Sequence, residues 1–238
     1  MKHSSYCLLA VAVLSTLAGT AHAQTFGPST SASKDSDVFN GGTDATVLAW
    51  DFSDSEQHTT TTVNNVVFSG DQDNAGVDFS YVLGGARDQN GVNDMALAST
   101  GGSANYAYIL QHLAYGGGPA SLTFTGLTPG EAYELQVFAG GGQSAPETLT
   151  DASTIPGPSP ASPSGTLDYG AAYNPAVAGF IDETFRAPVG GTETIDLTGG
   201  GLLIVSAVNL QVLPEPSTYA MLLGGLALLG FCVRRKLA

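Results

Sequence analysis

The chain has 238 residues, 21 acidic against 7 basic, a formal net charge of −14 and 43% apolar residues. That is enough for one sizeable buried core, and too much negative charge for a partner built on a phosphate backbone, so nucleic acid is excluded as a ligand class. The only cysteines, Cys7 and Cys232, lie in apolar stretches at the two extremities, so the part between them must hold together by apolar burial without disulfides.

Met1 to Tyr6 carries Lys2 and His3, and Cys7 to Leu17 is an uncharged apolar run of eleven residues. Ala21-His22-Ala23 then places small residues at the two positions a signal peptidase reads, Ala21 and Ala23. The pattern predicts a secretory signal peptide over 1–23, cut before Gln24, rather than a membrane anchor that stays in place. The part from Gln24 to Leu213 holds three basic residues, Lys34, Arg87 and Arg186, against twenty acidic ones, a net −17. A surface of that sign suits solubility outside the cell, cations or a hydrated matrix.

Residues 24–44 are rich in Ser, Thr, Gly and Asp and read as a flexible leader or an irregular first edge. From 45 to 212 the pattern is β. Thr46 to Phe52 is the first strand, with the sole tryptophan, Trp50, as a core anchor. Thr59 to Phe68 follows, a Thr/Val run whose β-branched side chains suit a pleated surface. Phe79 to Leu83 is a short strand. Ala104 to Leu113 is ambiguous between strand and helix, and is expected as a strand or a single turn with Tyr106 and Tyr108 on one side. Ala120 to Phe124 and Glu131 to Ala139 alternate around Gly126-Leu127-Thr128-Pro129-Gly130, the pattern of an antiparallel hairpin on a Pro-Gly turn. Phe138 breaks the polar alternation, which fits a strand covered on both faces. Residues 144–165 carry five prolines and read as a long loop. Ala178 to Arg186 and Thr192 to Leu197 are two more strands joined through Gly190-Gly191, and Leu202 to Val212 is the most apolar strand, expected at the centre of a sheet. Eight or nine short strands with Gly-rich turns imply an all-β, antiparallel β-sandwich, jelly-roll-like in topology.

The last strand runs straight into Leu213-Pro214-Glu215-Pro216 and then an apolar run of 15 residues, Tyr219 to Val233, closed by Arg234-Arg235-Lys236. Pro214 and Pro216 lack N–H donors and push their predecessors to extended geometry, so the segment reads as an extended, easily gripped stretch. The run over 219–233 is apolar all round, unlike an amphipathic helix, and is predicted to span a membrane. It is short of the roughly 20 residues of a full span, a deficit that Ser217, Thr218 and snorkelling basic side chains can cover. Arg234, Arg235 and Lys236 form a cytoplasmic stop by the positive-inside rule, which puts the preceding domain across the membrane.

Breaker motif, apolar span and basic stop, in that order over 213–238, resemble the PEP-CTERM protein-sorting tail, which in that family is read by exosortase, a membrane-embedded transpeptidase-like enzyme. The resemblance implies a single-pass membrane intermediate, processing at Pro214, Glu215 and Pro216, and a final place at the cell surface or in an extracellular matrix. The family's association with exopolysaccharide and biofilm implies a structural or adhesive role. Residues 60–212, with Val-Val-Phe-Ser-Gly early, Gly-Leu-Thr-Pro-Gly in the middle and Ser-Ala-Val-Asn-Leu-Gln-Val last, are loosely similar to sandwich domains of PEP-CTERM proteins described as carbohydrate-binding or lectin-like. Gly-Leu-Thr-Pro-Gly also occurs in fibronectin-type sandwiches and reports a hairpin, not a ligand.

Catalytic chemistry finds little to stand on, and the domain is expected not to be an enzyme. Gly142-Gln143-Ser144-Ala145-Pro146 fails the nucleophile-elbow pattern at its last position. His58 sits among polar residues and reads as a surface residue, whereas His112, in apolar context, reads as a packing residue. Paired carboxylates for glycoside hydrolysis exist in Glu131 with Glu134 and in Asp182 with Glu183, as an acidic chain supplies by chance. A hydrolase built on His58 or His112 is therefore the third reading. No cofactor is expected beyond Ca²⁺. Asp71, Asp73, Asn74 and Asp78 place oxygen ligands on a turn, and Asp88, Asn90, Asn93 and Asp94 form a second cluster. Neither completes an EF-hand, since the twelfth position from Asp71 is Val82. The runner-up function is a carbohydrate-binding module, whose exposed aromatic face would come from Tyr106, Tyr108, Tyr115, Tyr169 or Tyr173.

Overall fold

In the computed structural model, which describes residues 25–41, 46–52, 60–69, 77–83, 87–88, 102–116, 120–140, 147–151, 164–167, 178–199 and 203–213, the chain is almost entirely antiparallel β-structure. The first sheet joins β1 (Thr25–Phe26), β13 (Ala178–Arg186), β10 (Ala132–Gly140), β16 (Ala207–Val212) and β3 (Thr46–Asp51), in that order, with β2 (Thr30–Ser31) also on β13. The second joins β12 (Ser164–Leu167), β11 (Glu147–Asp151), β14 (Thr192–Gly199), β9 (Ala120–Thr125) and β6 (Asp78–Val82). Two small sheets complete the set: β4 (Thr61–Val63) with β5 (Val66–Phe68), and β7 (Arg87–Asp88) with β8 (Leu113–Gly116) and β15 (Leu203–Val205). A helix, α1, spans Ala104–Gln111.

Take β3, β9, β10, β11, β12, β13, β14 and β16 as strands one to eight. The sheets then run 1-8-3-6 and 2-7-4-5, the interleaving of a jelly roll, with β6 and β1–β2 added at edges. The expected sandwich and its topology are therefore present, and the strand expected at the centre, β16, lies between β10 and β3.

Alternation explains the main core. Leu122 and Phe124 of β9, Leu135 and Val137 of β10, Ile181 and Phe185 of β13, Ile195 and Leu197 of β14 and Val208 and Leu210 of β16 all point between the sheets and are buried. A second core forms on the outer face of the first sheet. Ala49, Phe138, Phe180 and Ala207 meet Tyr106, Ile109 and Leu110 of α1, Val63, Val66 and Phe68 of the β4–β5 hairpin, and Ala32 and Val38 of the N-terminal stretch. This is why Phe138 is apolar on what would otherwise be the solvent side.

Six expectations need correction. The runs Ala120 to Phe124 and Glu131 to Ala139 do not pair as a hairpin: β9 lies in the second sheet and β10 in the first, so Pro129-Gly130 carries the chain from one sheet to the other. The long loop expected over 144–165 contains β11, paired between β12 and β14. The strand expected over Leu202 to Val212 is broken at Ser206 into β15 and β16, which join different sheets. Ala104–Gln111 is helical: Ser103 caps it by accepting the Tyr106 N–H at 3.2 Å, and Tyr106, Ile109 and Leu110 share one face at helical spacing. The run Thr59 to Phe68 is a hairpin, reversed at Asn64-Asn65 with φ of 48° and 64°, the left-handed pair that a two-residue type I′ turn needs. The flexible leader is docked. β1 and β2 edge β13, and Val38 is wholly buried. Asn40 donates to the Asn64 carbonyl at 2.8 Å and Asn64 to the Val38 carbonyl at 2.8 Å, so the stretch is tied to the hairpin turn. Gln24–Leu213 forms one compact unit.

Candidate functional site

Two places on the described unit bear on function: the outer face of the first sheet, and the end of β16 where the sorting motif begins.

On the outer face the antiparallel register sets Gln136 opposite Asp182 on one side and Asn209 on the other, and Glu134 opposite Gln211. Gln136, Asn209 and Gln211 are buried because residues 37–41 cross over them. Buried amides need partners, and the crossing backbone supplies most of them. Phe39 donates its N–H to Gln136 Oε1 at 2.6 Å and accepts Asn209 Nδ2 at 3.0 Å and Gln211 Nε2 on its carbonyl. Gly41 donates to Gln211 Oε1 at 2.8 Å. Gln136 Nε2 donates to the Asp37 carbonyl at 3.1 Å and to Asp182 Oδ1 at 2.9 Å. Beside this row Glu134 is half-buried: desolvation, with the nearby Asp182 charge second, pushes its carboxyl up to about 7. Burial also raises Asp182, against the opposing effect of the Gln136 bond. The carboxylates the fold places together are thus Glu134 and Asp182, on neighbouring strands. In the Asp182–Glu183 pair, Glu183 is buried on the opposite side of β13 from Asp182.

At the end of β16, Tyr133 of β10 lies opposite Val212, and Leu213 donates its N–H to the Ala132 carbonyl at 2.8 Å. Tyr133 is fixed in turn. Its ring stacks on Phe185 with centroids 5.6 Å apart, and its hydroxyl accepts the Thr128 N–H at 3.1 Å. The backbone is therefore held up to the residue before Pro214.

Of the glycan candidates, Tyr106 is completely buried, its hydroxyl has no hydrogen-bond partner among the described residues, and burial with the charges of Asp37 and Asp35 pushes its ionisation far above the usual range. It packs the second core, which overturns its assignment to sugar stacking. Tyr108 is half-buried, its ring 4.0 Å from that of His112, whose Nδ1 lies 2.8 Å from the Tyr108 carbonyl. Tyr115 is in β8, opposite Ile204. Partly exposed aromatic rings occur elsewhere, on β3 and β6. Trp50 lies 5.4 Å from Phe79, Phe79 lies 5.9 Å from Tyr81, and all three are half-buried.

Of the Ca²⁺ ligands, Asp78 stands exposed at the start of β6, while Asp71, Asp73 and Asn74 lie outside the described residues, as do Asn90, Asn93, Asp94, His58, Tyr169 and Tyr173. Among the described residues no group of three His, Cys, Asp or Glu could hold a metal, and no helix is long and apolar enough to cross a membrane. Ala21, Ala23 and Gln24, Pro214, Glu215 and Pro216, the 219–233 run and Arg234, Arg235 and Lys236 also lie outside the described residues.

The unit is a jelly-roll sandwich whose last strand leads directly into a C-terminal sorting signal. Residues 212–236 match the PEP-CTERM protein-sorting motif; the chain carries the signal of an exported protein processed by an exosortase. No curated protein matches the chain. Among solved structures, the ANX2 ectodomain from Arabidopsis thaliana is similar over 72% of this chain at 7% identity, with a TM-score of 0.42, and this chain spans 51% of that one. The enzymatically active domain of bacteriophage CBA120 tailspike protein 4 is similar over 58% of this chain and 20% of its own, at 14% identity and a TM-score of 0.29.

Proposed function

We propose that this chain is a non-enzymatic protein of the cell surface or extracellular matrix, with a structural or adhesive role linked to exopolysaccharide or biofilm. Signal peptidase cuts it before Gln24, and an exosortase removes its tail at Pro214-Glu215-Pro216 after a membrane-anchored intermediate. The observation that carries this reading is the sorting match over 212–236, directly behind a folded domain of net charge −17 without cysteine. The outer-face carboxylates do not argue for hydrolysis, because Asp182 is engaged by the buried Gln136 amide. The test is to fractionate the native host and sequence both termini of the protein by mass spectrometry. The expected product starts at Gln24, lacks the 219–233 run and co-fractionates with matrix polysaccharide. Recovery with the tail intact, or in the soluble cytoplasm, would reject it.

A second reading, carbohydrate binding, rests on Trp50, Phe79 and Tyr81, which pack against the main core yet keep part of their surface exposed. Glycan-array binding lost in Tyr81→Ala, with the fold retained, would support it. Ca²⁺ at Asp71, Asp73, Asn74 and Asp78 is proposed as a structural ligand; an unchanged unfolding midpoint in Ca²⁺ and in chelator would discard it.

A further inference from the structure

The sorting match and the fold overlap. The matched segment begins at Val212, yet Val212 is the last paired residue of β16, opposite Tyr133, and Leu213 is still bonded to Ala132. A processing enzyme grips its substrate as extended main chain, using backbone N–H and C=O groups on both sides of the bond it acts on. A backbone N–H is one donor, and here the Leu213 donor is already given to β10. With Leu213 held, no residue separates this sheet bond from Pro214 in the sequence, so the motif has no linker before it.

The hold is graded along β16. Gln211 is wholly buried and its amide bonds the Phe39 carbonyl, the Gly41 N–H and Asn209 Oδ1. On the opposite side of β16, Gln211 is also the last residue in register with β3, opposite Thr46. Val212 and Leu213 are both only half-buried, and among the described residues their strand partner is β10 alone. Opening Val212 and Leu213 breaks one edge of pairing, whereas opening Gln211 dismantles the buried amide row.

We infer that Val212 and Leu213 form a releasable strand end: they peel from Tyr133 and Ala132 when the sorting motif is engaged, and Gln211 is the point at which peeling stops. This rests on the exosortase reading. The fold then sets the rate of tail removal, and the delivered domain keeps its structure up to Gln211 throughout.

The test is a cross-link across the releasable end in the full-length chain, in its native host. Ala132 and Leu213 are the next directly opposed residues after Tyr133 and Val212, and hydrogen-bonded antiparallel partners have Cα atoms about 5.5 Å apart, within disulfide range. Ala132→Cys with Leu213→Cys, in a Cys232→Ser background, is followed by pulse-chase of tail removal with and without reductant. A second variant adds four Gly-Ser residues between position 213 and Pro214 in the cross-linked chain. Tail removal is expected to be at least tenfold slower oxidised than reduced, and the linker is expected to restore it. Equal rates in the oxidised and reduced forms, while the tail is still removed, overturn the releasable end and leave the exosortase reading intact. Slow removal that the linker does not restore also overturns it, because the block then lies elsewhere. If wild type and reduced variant both keep their tails, the exosortase reading fails and takes this inference with it.

Discussion

Glu134 and Asp182 occupy neighbouring strands on a face that residues 37–41 partly roof over, so each loses hydration, and Glu134 also faces the Asp182 charge. An acid whose folded ionisation lies at about 7, above its ordinary 4.5, binds more protons folded than unfolded between those values. Stability from this group is therefore full below that window and is lost as pH rises through it. Glu134→Gln keeps the shape and removes the titration. Its unfolding free energy should exceed wild type at pH 8 by on the order of 1 kcal/mol, after solvent screening of a half-buried group, and match it near pH 4. Urea unfolding at the two pH values decides this; a larger gap at pH 4 than at pH 8 would reverse the sign. Tyr106 offers a second residue-scale test. Its hydroxyl is buried without a partner among the described residues, so Tyr106→Phe should leave the domain as stable or about 1 kcal/mol more stable. A loss beyond that would mean the hydroxyl is satisfied in solution.

At the scale of elements, legibility followed how local the cause was. The turn between β9 and β10 was readable because Pro129-Gly130 is local, but the pairing was not, since β9 joins the second sheet and β10 the first, and β16 was readable because Val208, Leu210 and Val212 alternate toward the core. The helix α1 was not, since Tyr106, Ile109 and Leu110 satisfy a helical stripe only if the second sheet face exists to receive it, and that face is assembled from Ala49, Phe138, Phe180 and Ala207 across four strands. The amide row was missed for the same reason: Gln136, Asn209 and Gln211 look like solvent-side polar residues until 37–41 covers them. Ser206 divides the expected Leu202 to Val212 strand, bonding the Phe138 carbonyl at 2.7 Å and the Gly140 N–H at 2.9 Å, so β15 and β16 join different sheets. The β13–β14 turn separates its two glycines. Gly191 has φ +65°, and a Cβ there would sit 2.6 Å from the Leu127 carbonyl, whereas Gly190 faces open space. Gly191→Ala should cost about 2–3 kcal/mol and Gly190→Ala less than about 0.5 in denaturant unfolding. Equal costs would show the turn to be more adaptable than its backbone implies.

For the whole molecule, the decisive matter is whether the delivered domain begins at β3 or at Gln24. A polar, glycine-containing leader would be dispensable, since such termini contribute little. The stretch 25–41 instead supplies two edge strands, the buried Ala32 and Val38, and the backbone that satisfies three buried amides. Removing it uncovers Phe138, Phe180 and Ala207 and leaves Gln136, Asn209 and Gln211 to be hydrated in place. A mature domain lacking 25–41 should therefore melt about 10 °C lower than the intact one, the shift expected of a loss near 3–4 kcal/mol in a domain of this size. The same amide row is the point where peeling of β16 is proposed to stop, so its loss should also let unfolding run past Gln211. Hydrogen exchange of the 207–212 amides should then quicken along with the lowered melting point. An unchanged melting point would mean that the roof over the sheet is incidental and that the sandwich is complete from β3 onward.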